Sequence, residues 1–206
     1  MADDDEAVES PAERTAIVKR VQLVHEGFLQ VREAVVSHPR HDGRWQTVTR
    51  ESMDRPDSVA VALVDRPRRV IWLAEQFRFP TLSSGSGWIE ELPSGSIDAG
   101  ESAEAAAARE VAEETGFVDL ELSHISSFFV SPGGTSERVE LFLAYVDGRE
   151  PDLRRSARLQ DADEDIRLVR TDLDAFLSKA ASGDLEDAKT LIAGLWLLAH
   201  PDRLQS

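Results

Sequence analysis

Residues 95–117 read GSIDAGESAEAAAAREVAEETGF. Alanine and glutamate dominate the stretch 102–115, and both residue types favour an α-helix. Gly116 follows at the position where a glycine in the left-handed conformation commonly ends a helix. The sequence therefore predicts one helix over Ser102–Thr115, preceded and followed by a loop.

Three glutamates share one face of this predicted helix. At about 100° per residue, Glu110, Glu113 and Glu114 occupy positions i, i+3 and i+4. Such like charges repel by a few tenths of a kcal/mol per pair, and a hard divalent cation that prefers oxygen ligands turns the cluster into a binding site. A solvated acidic face is the alternative for any glutamate triplet, but the fixed glycines and arginine around this one favour a metal site. The opposite face is predicted to pack on a sheet through Ala105, Ala108, Val111 and Ala112.

The segment resembles the Nudix box, G-x5-E-x7-R-E-U-x-E-E-x-G-U, where U is a bulky apolar residue. It matches all nine specified positions over 23 residues, and only the aromatic Phe117 departs from the aliphatic norm. The resemblance implies an α+β fold, an α/β/α sandwich around a mixed sheet with the box as loop–helix–loop. It also implies hydrolysis of a nucleoside diphosphate linked to another moiety.

The resemblance also assigns roles to residues of the box. The three helix glutamates become ligands of Mg²⁺, with Mn²⁺ as the alternative ion. The backbone carbonyl of Ser94 is a further ligand, and Glu101 lies near the metal. Arg109 holds a glutamate in place through a bidentate pair, and it is assigned with Glu113 to the catalytic machinery.

Three segments outside the box resemble ADP-ribose pyrophosphatases and related sugar-nucleotide hydrolases. They are EQFR at 75–78, SPGGTSER at 131–138 and DEDIR at 163–167, and DAKT follows at 187–190. Pro132, fifteen residues past Phe117, is near the proline that marks the ADP-ribose subfamily. Taken alone, these segments could be a strand-end charge, a glycine-rich turn and a solvated acidic loop; their order around a full Nudix box favours function.

Each segment is assigned a role toward a substrate. Arg78 binds a phosphate or ribose oxygen. Gly133 and Gly134 let backbone approach the substrate closely, and Glu137 hydrogen-bonds a ribose hydroxyl.

The acidic loop 161–165 must supply the general base, because the helix glutamates are occupied by metal. Related enzymes often carry a further glutamate two residues before the position of Glu164. Here that position is Ala162, flanked by Asp161 and Asp163, which leaves the identity of the base open within the loop. Glu164 is favoured because it has the longest reach.

The first 56 residues predict a separate arrangement. An acidic disordered tail, 1–13, precedes a small antiparallel sheet over 14–56, and the Nudix domain is predicted over 57–206. The small sheet resembles one that related enzymes exchange between subunits, which implies a homodimer. Arg50 matches an arginine that reaches the partner's substrate. Phe28 is assigned to stack on the nucleobase of the substrate, with a core position as the alternative.

The remaining elements follow from apolar runs and turn residues. Residues 83–87, SSGSG, predict a flexible loop. Predicted strands are Ala16–Val24, Phe28–Ser37, Trp45–Arg50, 58–65, 69–77, Ile125–Val130, Val139–Val146 and Ile166–Val169. Predicted helices after the box are Leu173–Ala181 and Leu185–Leu198.

Composition excludes several function classes. The 206 residues lack cysteine, which rules out disulfides, thiolate catalysis and cysteine-based zinc sites. A net charge of −16 repels a nucleic-acid backbone, and an anionic substrate therefore calls for a cation to neutralise both partners locally. No apolar run reaches the roughly 18–20 residues of a membrane span, and the acidic N-terminus resembles no targeting peptide. A cytoplasmic protein is the expectation.

Hydrolysis of ADP-ribose or a similar nucleoside diphosphate sugar is thus the leading hypothesis. GDP-mannose or another sugar nucleotide is the first alternative, because the sequence does not reveal the base pocket. A non-catalytic Nudix sensor is disfavoured because every box carboxylate is present. An enzyme for oxidised nucleoside triphosphates is disfavoured by the N-terminal sheet and the SPGG segment.

Overall fold

A computed structural model describes residues 15–154, 156 and 165–205 of the chain. The strands are β1 (Ile17–Glu26), β2 (Gln30–Pro39), β3 (Trp45–Asp54), β4 (Ser58–Asp65), β5 (Val70–Phe77), β6 (Trp88–Glu91), β7 (Ser94–Ser96), β8 (Ser123–Phe129), β9 (Arg138–Tyr145) and β10 (Arg167–Asp172). The helices are α1 (Ala103–Thr115), α2 (Leu173–Ser182) and α3 (Ala188–Ala199), with short 3₁₀ helices at Phe79–Ser83 and Pro201–Leu204.

The larger sheet has the strand order β10-β5-β4-β9-β8, with β6 paired to β5 and β7 paired to β4. Strands β4 and β9 run parallel, and the other pairs are antiparallel. The continuous apolar run of β4 is explained by burial on both faces. Val59, Val61 and Leu63 pack with α1, whereas Ala60 and Ala62 pack with α2 and α3. The α+β sandwich expected from the box resemblance is therefore confirmed.

Helix α1 lies on the sheet in a different rotation from the predicted one. Its buried apolar residues are Ala106, Ala107 and Val111, whereas Ala105 and Ala108 are exposed. Ala112 is only partly buried. The prediction was right for Val111 and wrong for Ala105 and Ala108, because alanine fills nearly every position of the first two turns and the pattern does not mark one face. The observed rotation turns part of the carboxylate face toward β7.

A second group of elements is a three-stranded antiparallel sheet in the order β1-β2-β3. The described residues up to Arg55 form one compact unit with Ser131–Ser136. Within this unit, the Gly134 carbonyl accepts a hydrogen bond from the Met53 N–H at 2.8 Å. The described residues of 56–130 and 137–205 form the other unit. The division into 14–56 and 57–206 stays a prediction, and the predicted tail, 1–13, lies outside the described residues.

Several local predictions differ from the structure. Phe28 lies in the turn between β1 and β2 rather than in a strand. Strands β6 and β7 and the 3₁₀ helix that ends at Ser83 were not predicted, because such short elements carry too few residues to show a hydrophobic period. Among the described residues, no helix is long and apolar enough to cross a membrane.

Candidate active site

Arg109, in the middle of α1, is the centre of a group of carboxylates. Its guanidinium forms a bidentate pair with Glu101, with nitrogen–oxygen distances of 3.1 and 3.0 Å. The same group donates to Glu110 at 2.7 Å, to Glu113 at 3.1 Å and to the Ser96 carbonyl at 2.9 Å. The pKa of Arg109 is raised above its ordinary value, mainly by the hydrogen bonds to Glu101. One fixed cation therefore orients three acidic side chains and the β7 backbone.

Gly95 explains why the box begins with glycine. It lies in β7, opposite Val59 of β4, and its backbone is covered by the side chain of Glu110. A Cβ at this position would lie 2.0 Å from the Glu110 carboxyl carbon. A larger residue would displace this carboxylate, so the glycine is tied to the place that the Glu110 side chain occupies over β7.

Glu114 is the buried member of the carboxylate face. Its exposed fraction is only 5%, and its Oε2 accepts a hydrogen bond from the Ser94 N–H at 3.1 Å. Burial raises the pKa of Glu114 well above its usual range, and the negative charges of Glu110 and Glu91 add to the effect. An ionised Glu114 is consequently costly unless a cation lies nearby.

The donor chemistry of these residues fits a hard divalent cation. Glu110, Glu113 and Glu114 offer only carboxylate oxygens, which Mg²⁺ prefers. Within the ranges that the structure describes, no group of three or more acidic or histidine side chains has a metal-binding arrangement. The Arg109 contacts to Glu110 and Glu113 would therefore have to rearrange when an ion binds.

Arg78, which directly follows β5, pairs with a buried carboxylate. Its Nε and Nη2 atoms both lie 2.7 Å from Oε1 of Glu91. Glu91 is 3% exposed, and its other oxygen, Oε2, pairs with the ammonium of Lys189. Glu91 was not predicted from the sequence. Glu90 and Glu91 both lie between Ile89 and Leu92, and nothing local marks Glu91 as the buried one.

The other predicted substrate residues are spread over both units. In the second unit, Glu137 accepts a hydrogen bond from the Ser58 hydroxyl at 3.1 Å. In the first, Phe28 is fully exposed, and the exposed Arg50 donates to the Thr49 carbonyl at 2.9 Å. Gly133 and Gly134 also belong to the first unit, and a Cβ at either would meet no atom within 4 Å. Glu164 lies outside the described residues.

The environment of Glu114 leads to a stability prediction. A carboxyl pKa raised by folding contributes stability below the ordinary value near 4.5, and this contribution is lost as pH rises through the raised value. In EDTA at pH 8, Glu114→Gln should therefore melt higher than the wild type, by about 2 °C or more. The difference should shrink at pH 5.5. Millimolar Mg²⁺ should raise the melting temperature of the wild type more than that of the variant.

The exposed Glu121→Gln is the matched control and should leave the melting temperature unchanged. Differential scanning calorimetry across pH measures all three proteins. Equal or lower stability of Glu114→Gln at pH 8 in EDTA would contradict the conclusion that the buried, ionised Glu114 destabilises the metal-free protein.

Comparisons with known proteins identify the family of the chain. The NUDIX domain family matches residues 54–191. The ADP-ribose pyrophosphatase of Bacillus subtilis (strain 168) is 35% identical over 144 residues, covering 70% of this chain and 73% of the relative. The corresponding protein of Escherichia coli (strain K12) is 29% identical over 187 residues, 90% of this chain and 88% of the relative. A GDP-mannose pyrophosphatase of Yersinia pestis (strain Pestoides F) is 33% identical over 145 residues, 69% of this chain and 71% of the relative.

A solved structure supports the fold independently. The crystal structure of an ADP compounds hydrolase superposes with a TM-score of 0.65 at 20% identity, covering 90% of this chain and 95% of the other. The family match includes strands β4 to β10, the box and the start of α3. The chain therefore belongs to the Nudix family and, within it, groups with the ADP-ribose pyrophosphatase subfamily.

Proposed function

We propose that the protein hydrolyses the diphosphate of a nucleoside diphosphate sugar, with ADP-ribose as the first substrate to test. The products are a nucleoside monophosphate and a sugar phosphate. The observation that carries the proposal is the cluster in which Arg109 orients Glu101, Glu110 and Glu113 beside the buried Glu114. A solvated acidic helix would not need this buried carboxylate or the bare backbone of Gly95.

The chemistry divides between the cation and the chain. A bound Mg²⁺, or Mn²⁺, would neutralise charge that develops on the diphosphate. Water attacks one phosphorus, the bond from that phosphorus to the bridging oxygen breaks, and the other phosphate leaves with that oxygen. Arg109 keeps Glu101 in place through its bidentate pair during the reaction, and Gly95 leaves room for Glu110. Glu164 is the proposed acceptor of the water proton.

A substrate screen identifies the sugar and the nucleobase of the preferred substrate. ADP-ribose is favoured by the ADP-ribose pyrophosphatases among the relatives, and GDP-mannose is the alternative because a GDP-mannose pyrophosphatase is 33% identical. Purified protein with Mg²⁺ should release phosphate monoesters from a panel of nucleoside diphosphate sugars, fastest from ADP-ribose. Faster release from GDP-mannose would move the substrate assignment, and no release from any member would refute the proposed activity.

We also propose that the protein is a homodimer. Strand β1 is exposed along its whole length, and its apolar side chains include Ile17, Val18 and Val21, each more than half exposed. Apolar strand residues exposed in one copy favour coverage by a partner. We therefore expect light scattering to give the dimer mass at micromolar concentration. The double variant Val18→Asp/Val21→Asp should shift the protein toward monomer.

Subunit mixing tests whether Arg50 completes the site of the partner. Arg50→Ala and Glu114→Gln should each be nearly inactive alone. After mixing and exchange, half the dimers carry one intact site, so activity should recover to about a quarter of the wild-type value. A fully active monomer, or mixing without recovery, would contradict a shared site.

A further inference from the structure

Glu91 connects two cations that lie far apart in the sequence. Its Oε1 takes both Nε and Nη2 of Arg78, and its Oε2 pairs with Lys189, 98 positions along the chain. Glu91 is 3% exposed, and the side chain of Lys189 is 14% exposed. Arg78 differs from both, because 42% of its side chain is exposed. Glu91 and Lys189 are therefore buried, and only the guanidinium of Arg78 is accessible to a ligand.

Lys189 is itself fixed by the first turn of α3. Asp187 caps this helix, accepts from the Thr190 N–H at 2.9 Å and pairs with Lys189 at 2.9 Å. The buried hydroxyl of Thr190 accepts the N–H of Leu92, the residue after Glu91, at 3.0 Å. The start of α3 is thus attached both to the side chain of Glu91 and to the backbone that follows it.

The charges in this group explain why both cations are present. Glu91 and Asp187 carry one negative charge each, and Arg78 and Lys189 carry one positive charge each. Lys189 contacts Oε2 and Arg78 contacts Oε1, so the guanidinium is anchored on one oxygen of the carboxylate. The outer side of its guanidinium remains available for an oxyanion.

We propose that Glu91, held by Lys189, is a positioning residue that fixes Arg78 for a phosphate group of the substrate. This inference rests on the proposed function. Glu91 itself does not contact the substrate and acts through the guanidinium of Arg78. The chemical class recognised is the diphosphate, independent of the base or sugar attached to it.

Steady-state kinetics with ADP-ribose and Mg²⁺ separate positioning from stability. Glu91→Gln keeps the shape but loses the charge, and we expect KM to rise about tenfold with kcat changed less than about threefold. The double variant Glu91→Gln/Lys189→Met removes both charges of the buried pair. It should recover most of the melting temperature lost in Glu91→Gln, because no ammonium then faces an amide, while KM stays raised. Recovery of KM together with stability would overturn the proposal.

A double-mutant cycle identifies the group through which Glu91 acts. Arg78→Gln should raise KM at least as much as Glu91→Gln, and Glu91→Gln should add little in the Arg78→Gln background. Additive effects of the two substitutions would overturn the proposal. Lys179→Met, on the exposed face of α2, is the matched control for loss of a lysine and should leave KM unchanged.

A measurement without substrate keeps the inference independent of the proposed activity. In nitrogen-15 NMR spectra, the Nε–H of Arg78, assigned by its absence in Arg78→Gln, should exchange slowly with solvent. Its exchange should accelerate at least about tenfold in Glu91→Gln and be unaffected in Lys179→Met. Fast exchange in the wild type would refute the fixed guanidinium. Slow exchange in a protein that cleaves none of the substrates would refute only the proposed function.

Discussion

Replacing Glu113 or Glu114 with glutamine is expected to lower turnover of ADP-ribose by at least about a hundredfold. The two carboxylates lie on the face of α1 that also carries Glu110, and Arg109 donates hydrogen bonds to Glu110 and Glu113 there. Glutamine keeps the shape of each side chain but removes the charge that a divalent cation requires. Turnover is measured as AMP release at saturating Mg²⁺ and substrate.

Two controls accompany this prediction: the melting temperature of each variant, and the activity of the wild type with the divalent cation removed and restored. The melting temperature of Glu114→Gln in EDTA shows whether lost activity reflects lost structure, and here it should be higher than that of the wild type at pH 8. Glu121→Gln again serves as the surface control. Wild-type protein should lose activity in excess EDTA and regain it when Mg²⁺ or Mn²⁺ is restored. Full activity in excess EDTA would show that no dissociable cation takes part.

The central elements were predictable because their sequence patterns are strong and local. The apolar run of β4 and the following run of β5 are buried at the centre of the sheet, as expected. Helix α1 begins after Ser102, whose side chain accepts the Ala105 N–H, and ends at Gly116 with a φ of 76°. Both end residues are part of the local sequence, so the helix boundaries could be placed without the fold.

The arrangement inside the site was less predictable because it depends on contacts between distant segments. The spacing of Glu110, Glu113 and Glu114 gives their common face, but not that Glu114 is buried against Ser94 while Glu113 stays partly exposed. Glu91 belongs to the same problem, since it ends β6 and its partner Lys189 lies on α3. A buried acidic residue is recognisable from sequence only when its cation is known.

The strands of the first unit show the same limit. The sequence predicted an antiparallel arrangement, and β1, β2 and β3 form one. The apolar side chains of β1 are exposed in the single chain, and so is Phe28, for which a core position was the alternative. An apolar strand pattern predicts burial against some surface, but does not say whether that surface belongs to the same chain.

The second large effect is expected at Glu164, in the acidic segment 161–165 for which the sequence predicts a loop. The attacking water must lose a proton as it bonds to phosphorus. Glu110, Glu113 and Glu114 are poor proton acceptors when a cation occupies their lone pairs, because coordination lowers their basicity. A carboxylate supplied by a loop can approach the water when substrate binds. Glu164 has one more methylene than the loop aspartates and matches the E-D-I segment of the family.

Glu164→Gln should therefore lower kcat by about a hundredfold or more and change KM little, because the substitution removes a role in the transition state rather than in binding. Asp161→Asn and Asp163→Asn are the matched controls within the loop and should have smaller effects. All three variants are compared by steady-state kinetics with ADP-ribose and Mg²⁺, and their melting temperatures should stay near the wild-type value. If Glu164→Gln retains near-wild-type kcat while one aspartate variant is inactive, the base lies earlier in the loop.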